Sequence, residues 1–277
     1  MRCKRRKKHA AHCGCRNGHG IRARVSFRPH DMEARIFLVE LVMKIAAFIP
    51  ENGHRFVAAT INLTPMTEDP GYLNPYRKAF AEHGDDFAAT LWKSRDAQRC
   101  RFEVMIEMLG RDRLAGSVVV DVGCGRGDLA IHLDEAGVHP SRFIGIDALE
   151  PMVEAAGKRA GNLGFPTEFH LVDILASPGD LAGLNPDVCL ASGTLNAMPE
   201  DVAESVVGIM ADSGAKTVCF NFLSNRIPEE RHGEDTGPAT RFDPLRMLGV
   251  AFDHSPRVSF RQDYLNGHDG TILILAG

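Results

Sequence analysis

The chain has 277 residues, 44% of them hydrophobic and 25% charged. Those proportions belong to a globular protein with a proper core, and the length suits one large α/β domain with an extension or two small domains. The net charge of -4 conceals an asymmetry: residues 1–28 hold ten Lys or Arg and no acid, while the remainder holds 22 basic and 36 acidic side chains. The longest apolar run, 36–49, is interrupted by Glu40 and Lys44, too short and too charged for a membrane span or a signal-peptide core. Seven scattered cysteines, an odd number, do not make a disulfide framework, so a reducing, cytoplasmic setting is expected.

The first thirty residues are basic, rich in Gly and His, and nearly free of aliphatic side chains. They cannot bury enough apolar surface to offset their ordering entropy, so a basic, largely disordered extension is expected over 1–65. Within it, residues 33–48 have the spacing of a short amphipathic helix that Pro50 and Gly53 would end. Residues 66–277 read as the folded domain, opening with a helical cap over 66–113. The cap pattern predicts a short helix over 73–83, a further turn at 87–92, and a helix from the N-cap residue Ser94 to Leu109.

An alternation of strands and helices follows. Strands are predicted at 118–122, 143–147, 168–172, 188–191 and 217–222, with helices at 128–135, 151–162 and 201–211. Mostly apolar strands separated by helices imply a doubly wound α/β fold around a mostly parallel sheet. The tail differs: strands at 258–264 and 271–275 flank Asn266-Gly267-His268-Asp269-Gly270, the signature of an antiparallel hairpin.

The most informative segment is Asp121-Val-Gly123-Cys124-Gly125-Arg-Gly127-Asp128, between a predicted strand and a predicted helix. Glycines let the backbone turn sharply and approach a ligand, and the following helix offers free N–H groups. The next strand ends at Asp147, placed to accept ribose hydroxyls. The third ends at Asp173-Ile174, where the acid can accept from an adenine amino group while Ile174 packs on the ring. A dinucleotide fingerprint requires Gly where Asp128 stands. An acid at Asp121 would also repel a pyrophosphate, but it suits a cofactor carrying an ammonium and a sulfonium.

These motifs resemble the cofactor-binding motifs of the Rossmann-fold (class I) S-adenosylmethionine-dependent methyltransferases, and the similarity extends from about Gly71 to the C-terminus. The resemblance implies a seven-stranded sheet whose last strand is antiparallel, and S-adenosyl-L-methionine as the cofactor. It implies that Asp121, Gly123, Cys124, Gly125 and Gly127 meet the amino-acid part of that cofactor, Asp147 the ribose and Asp173 with Ile174 the adenine. Ala148, Met152 and Ser192 would complete the wall, and Arg101 on the cap helix would pair with the methionine carboxylate. A core role for Trp92 and Phe102, with the arginines as a solvated face, accounts for the cap equally well.

The fourth strand ends Ser192-Gly-Thr194-Leu-Asn196, beside the expected methyl group. These neutral groups can position a polar acceptor but are poor bases, and neither the Asn/Asp-Pro-Pro-aromatic motif of amino-methylating nucleic-acid enzymes nor the Cys of cytosine-C5 enzymes is present. Orientation and desolvation can supply much of the rate of an in-line methyl transfer. Residues 223–240 lie at the edge suited to a lid, with Arg226, Arg231 and His232 as candidate substrate contacts. A small-molecule acceptor is the leading expectation. A nucleic acid or protein guided by the basic arm, an inactive cofactor-binding module and an NAD-dependent oxidoreductase are the alternatives. The arm's Cys3, His9, His12, Cys13, Cys15 and His19 lack the spacing of a zinc site, and no metal is expected.

Overall fold

The computed structural model describes residues 12–14, 22–24, 71–160 and 162–276. The chain divides into two compact units, 1–70 and 71–277. In the first, β1 (His12–Gly14) pairs antiparallel with β2 (Arg22–Arg24), a short ladder inside a segment expected to lack regular structure. The expected helix over 33–48 and the side chains of the arm's Cys and His residues lie outside the described residues.

The second unit opens with a cap. A 3₁₀ turn at Gly71–Leu73 leads into α1 (Asn74–His83), and a second 3₁₀ turn follows at Phe87–Thr90. The long cap helix α2 spans Arg95–Leu109, with the Ser94 hydroxyl accepting from the Ala97 amide at 3.0 Å. Its buried face is Gln98, Arg101, Phe102, Met105 and Leu109, the i, i+3, i+4 spacing of one helical stripe. A short helix, α3 (Arg111–Leu114), connects it to the sheet.

The sheet contains β3 (Val118–Val122), β4 (Arg142–Asp147), β5 (Thr167–Leu171), β6 (Val188–Ala191), β7 (Thr217–Leu223), β8 (Val258–Arg261) and β9 (Asp269–Leu275). Their order is β5-β4-β3-β6-β7-β9-β8; the first five pair in parallel, and β9 runs antiparallel between β7 and β8. Helices α4 (Asp128–Glu135), α5 (Glu150–Arg159), α6 (Pro178–Gly183), α7 (Glu200–Ala211) and α8 (Pro244–His254) fill the crossovers. The β-branched and aromatic residues of the central strands β3, β4, β6, β7 and β9 are buried on both faces, which gives a core on either side of the sheet. One core gathers Val120, Ile144, Val218, Phe220 and Ile272 with α7 and α8; the other gathers Phe102, Val119, Leu133, Phe143 and Leu190 with α2 and α4.

Three differences from the sequence reading have local causes. β8 stops at Arg261 rather than Tyr264, because the Tyr264 hydroxyl turns inward onto Thr271 Oγ1 at 2.6 Å and Leu265 and Asn266 take left-handed φ values. α5 ends at Arg159 instead of Asn162, just before the poor helix former Gly161. α6 and α8 have no counterpart in the sequence reading, although Asp243, whose carboxylate accepts from the Leu245 amide at 3.1 Å, and Pro244 form a legible helix start.

The order of strands reverses between β3 and β6, so the carboxyl ends of these neighbours open a crevice, the usual ligand position in a doubly wound sheet. The cap is tied to that crevice through α2. Ser94→Ala should therefore lower unfolding stability by about 1 kcal/mol, measured by denaturant titration; an unchanged midpoint would show that the cap bond contributes nothing.

Candidate active site

The glycine loop is held by both neighbouring strands. The amides of Gly123 and Cys124 both donate to the Ile146 carbonyl, at 2.8 and 3.0 Å, and the Gly125 amide donates to Asp147 Oδ2 at 2.9 Å. Asp147 Oδ1 accepts from the Leu149 amide at 2.9 Å, so one carboxylate fixes the loop and the start of α5 together. Gly123 has φ +70°, and a methyl there would overlap Thr194, whose Oγ1 lies 3.1 Å from the Val122 carbonyl and 3.2 Å from that of Gly123. A side chain larger than hydrogen cannot occupy this position. The loop thereby presents bare backbone to the crevice.

Asp121 lies under the loop at 3% exposure. Burial pushes its carboxyl well above the usual range, and the charges of Asp147 and Asp128 push in the same direction. Burial also raises Asp147, against the lowering effect of the Leu149, Gly125 and Ala148 amides. Asp128 is neutralised by Arg159 at 2.7 Å, and Gln98 Nε2 lies 3.4 Å from its other oxygen. Three acids with one cationic partner leave a deficit of positive charge at the loop. Tyr72 and Tyr76 of the cap have phenols pushed up to about 12 by burial, with Asp173 and Asp147 respectively contributing. Both remain neutral donors. Burial likewise raises the Cys124 thiol well above its ordinary value, which makes it a poor nucleophile.

A cleft of about 1080 Å³ runs over this loop. Of the residues expected from the sequence, Asp121, Gly123, Cys124, Gly125, Asp147, Ala148, Met152, Asp173, Ile174 and Ser192 all line it. Gly127 is absent from its wall. It has φ +74° and packs where a methyl would sit 3.1 Å from Phe169, so it serves the strand–helix turn. Arg101 departs from the expectation outright. Its guanidinium donates to both carboxylate oxygens of Asp269, at 2.7 and 3.0 Å, and its carbon lies 4.6 Å from the Trp92 ring centre. It therefore faces a second cavity rather than this cleft. The apolar contributions of Leu149, Leu175 and Met198 were missed in the sequence, because apolar loop residues carry no motif. Arg126 was also missed: it is buried, bonded through Nε to Asp85 at 2.7 Å, with Nη1 unpartnered among the described residues.

The second cavity, about 1050 Å³, adjoins the first. Tyr76, Thr90, Trp92 and Gly193 line both. Gly193 has φ +69°, its amide donates to Asn221 Oδ1 at 2.8 Å, and a methyl on it would overlap the Trp92 ring. Asn221 Nδ2 donates to Ser192 Oγ at 2.8 Å, which leaves the serine hydroxyl hydrogen available to the cleft. Thr194 and Asn196 are engaged in structure: Asn196 accepts from the Leu223 amide at 2.8 Å and donates to the Thr240 carbonyl. Of the candidate lid contacts, Arg231 lines the second cavity; Arg226 pairs with Asp243 at 3.0 Å, and His232 is exposed.

The reversed strand order, the carboxylates at successive strand ends and the bare glycine loop define a nucleotide-cofactor domain of the doubly wound class. A methyltransferase-domain family model matches residues 114–206. The fold is similar to that of magnesium protoporphyrin IX methyltransferase from Synechocystis PCC 6803, at 19% identity and a TM-score of 0.54 over 75% of this chain and 98% of that one. It is similar as well to an S-adenosylmethionine-dependent methyltransferase from Leishmania major, at 12% identity and 0.53 over 74% and 81%. The methyltransferase domain of a bacterial Hen1 matches at 16% identity and 0.50 over 65% and 98%. No curated protein matches the chain. The chain thus shares its fold with methyltransferases of known structure, and a methyltransferase-domain model covers about a third of it. Among the described residues, no helix is long and apolar enough to cross a membrane.

Two predictions follow from the loop and the partition. A carboxyl whose folded pKa is raised makes the native state bind the extra proton, so stability falls as pH rises through the window above its ordinary value near 3.8. Asp121→Asn should flatten that fall and raise the melting temperature of the ligand-free protein at neutral pH; a lower melting temperature would mean that the carboxylate is stabilising. Gly193→Ala should cost about 1–3 kcal/mol of stability through strain and displacement of Trp92, and the quenching of the sole tryptophan's fluorescence should change with it. An unaltered spectrum would show that the indole does not rest on Gly193.

Proposed function

We propose that residues 71–277 hold S-adenosyl-L-methionine in the first cleft and pass its methyl group to a small-molecule acceptor in the second cavity. The observation that supports this is the shared wall of Tyr76, Thr90, Trp92 and Gly193, which joins a carboxylate-rich cleft to a second, adjoining cavity. The chemistry of the donor set fits the cofactor: the cationic deficit around Asp121, Asp147 and Asp128 matches an ammonium and a sulfonium.

In this reading Asp121 and the backbone at Gly123–Gly125 hold the amino-acid part. Asp147 accepts from the ribose hydroxyls while keeping its hold on Gly125, and Asp173 and Ile174 take the adenine. Arg101 has no part in binding the methionine carboxylate, since its Nε–Nη2 edge is taken by Asp269 and it lines the second cavity. The bound cofactor supplies a methyl group already activated on a sulfonium. The protein's part is to orient the acceptor, through the Ser192 hydroxyl, the neutral Tyr76 phenol and the indole of Trp92, and to exclude water beneath the cap.

Asp147→Ala should weaken binding of S-adenosylhomocysteine by about 1–3 kcal/mol through lost charge-assisted hydrogen bonds; unchanged affinity in calorimetry would remove Asp147 from the site. Because Asp121 and Asp147 are raised in the free protein, a cationic ligand should release protons on binding and bind more weakly as pH falls. Calorimetry in two buffers of different ionisation enthalpy measures that release, and its absence would contradict the pairing. Transfer of labelled methyl from S-adenosylmethionine into a metabolite extract tests the acceptor class. Label recovered only in protein or RNA would overturn the small-molecule assignment.

A further inference from the structure

Arg231, Glu234 and His268 line the second cavity, and Arg241 lies next to Glu234 outside its wall, within reach once Glu234 withdraws. Glu234, in the 223–240 segment, places Oε2 3.5 Å from Arg231 Nη1 and 3.5 Å from Arg241 Nη2, with His268 Nε2 at 3.6 Å. Charge-assisted hydrogen bonds between guanidinium and carboxylate close to about 2.7–2.9 Å, as Arg101 and Asp269 do at 2.7 Å in the same cavity. Glu234 therefore sits between two guanidinium groups without hydrogen-bonding to either. Its side chain is 36% exposed, so withdrawing it into water costs little.

The surroundings are firmly built. Asp269 is 1% exposed and fully engaged, by Arg101 on one side and by His268 Nδ1 at 2.9 Å on the other. Arg241 donates to the Ser224 carbonyl at 2.9 Å, and its Nη2 lies 3.1 Å from His268 Nε2. A guanidinium can only donate, so the imidazole lone pair faces Arg241 and its proton faces Asp269. Asp269 is committed to Arg101 and His268, and Glu234 is the acid paired with Arg231 and Arg241. Lys93 reaches across from the cap to the Asp235 carbonyl, which holds the Glu234 segment against the mouth of the cavity. Tyr76 and Trp92 supply flat apolar walls on the side of the cofactor cleft.

The geometry points to a carboxylate subsite formed by Arg231 and Arg241, occupied in the ligand-free protein by its own Glu234, and to an acceptor that carries a carboxylate and takes the place of Glu234. This rests on the reading of the second cavity as the acceptor site. A free carboxylate can approach both guanidinium groups at bonding distance, which the tethered Glu234 does not reach. An acceptor anchored at that end and extended along Trp92 reaches Gly193, where the two cavities meet. The displaced Glu234 side chain swings outward into water, while Lys93 keeps its segment in place.

Benzoate is a suitable probe, an aromatic carboxylate with a ring for the Tyr76 and Trp92 walls. It should be titrated by calorimetry into the full-length protein saturated with S-adenosylhomocysteine. Glu234→Ala should tighten benzoate binding at least tenfold relative to the natural sequence, and Glu234→Gln should act in the same direction while keeping the side-chain volume. Adding Arg231→Gln to Glu234→Ala should abolish the gain, and benzamide, the neutral isostere, should show none. Equal gains for benzamide would mean that removing Glu234 only makes space, and would overturn the proposal. Preference for inorganic phosphate over benzoate would overturn the carboxylate class. Saturation with S-adenosylhomocysteine is itself the separate check: if the homologue does not bind, the cofactor reading fails, whereas binding of the homologue without a benzoate gain defeats only the subsite.

Discussion

The arrangement on which the rest of the site depends is a carboxylate kept out of water with no cation beside it. Asp121 lies under the glycine loop at the end of β3, with two further acids within electrostatic reach and the Arg159 guanidinium spent on Asp128. An ion in such a place is costly, so burial favours the protonated acid, and the fold keeps everything around it rigid. The amides of Gly123 and Cys124 are pinned to Ile146, that of Gly125 to Asp147, and Thr194 closes over the glycine where no side chain fits. The sheet holds an acid whose ionisation a nearby cation would favour.

A second constraint separates the two cavities. Trp92 rests on Gly193, Arg101 lies on Trp92, and Asp269 at the start of β9 holds Arg101. The partition is thus anchored in the antiparallel end of the sheet, remote from the loop in sequence. This gives the hairpin at the C-terminal end a clear purpose: it supplies the acid that orients the cap. Without β9 between β7 and β8, the arginine on α2 would be a buried cation without a counter-ion.

Much of this was legible in the sequence, and the reasons are physical. Strands such as 118–122 and 188–191 are short apolar runs bounded by glycine or acid, and their limits fell where expected because a parallel sheet buries both faces. The carboxylates at positions 121, 147 and 173 could be read from their place at strand ends, a local property. Arg101 could not. Its partner is 168 residues away, and spacing along a helix says which face a residue occupies but not what waits there. The same holds for Glu234 and His268, which read as parts of a polar loop and a hairpin turn until the fold brought them together. The two unanticipated helices are a different failure. Asp243-Pro244 was a readable helix start, whereas the six-residue turn at 178–183 has too short a period to detect.

The roof over the glycine loop carries one more implication. Tyr72, Leu73 and Tyr76 cover the end of the cleft nearest Asp147 and Asp173, and Arg126 ties the loop itself to Asp85 in the same cap. The second cavity is bounded on its outer side by a different piece of chain, residues 231–239. Two compartments with separate covers can exchange their contents by separate doors.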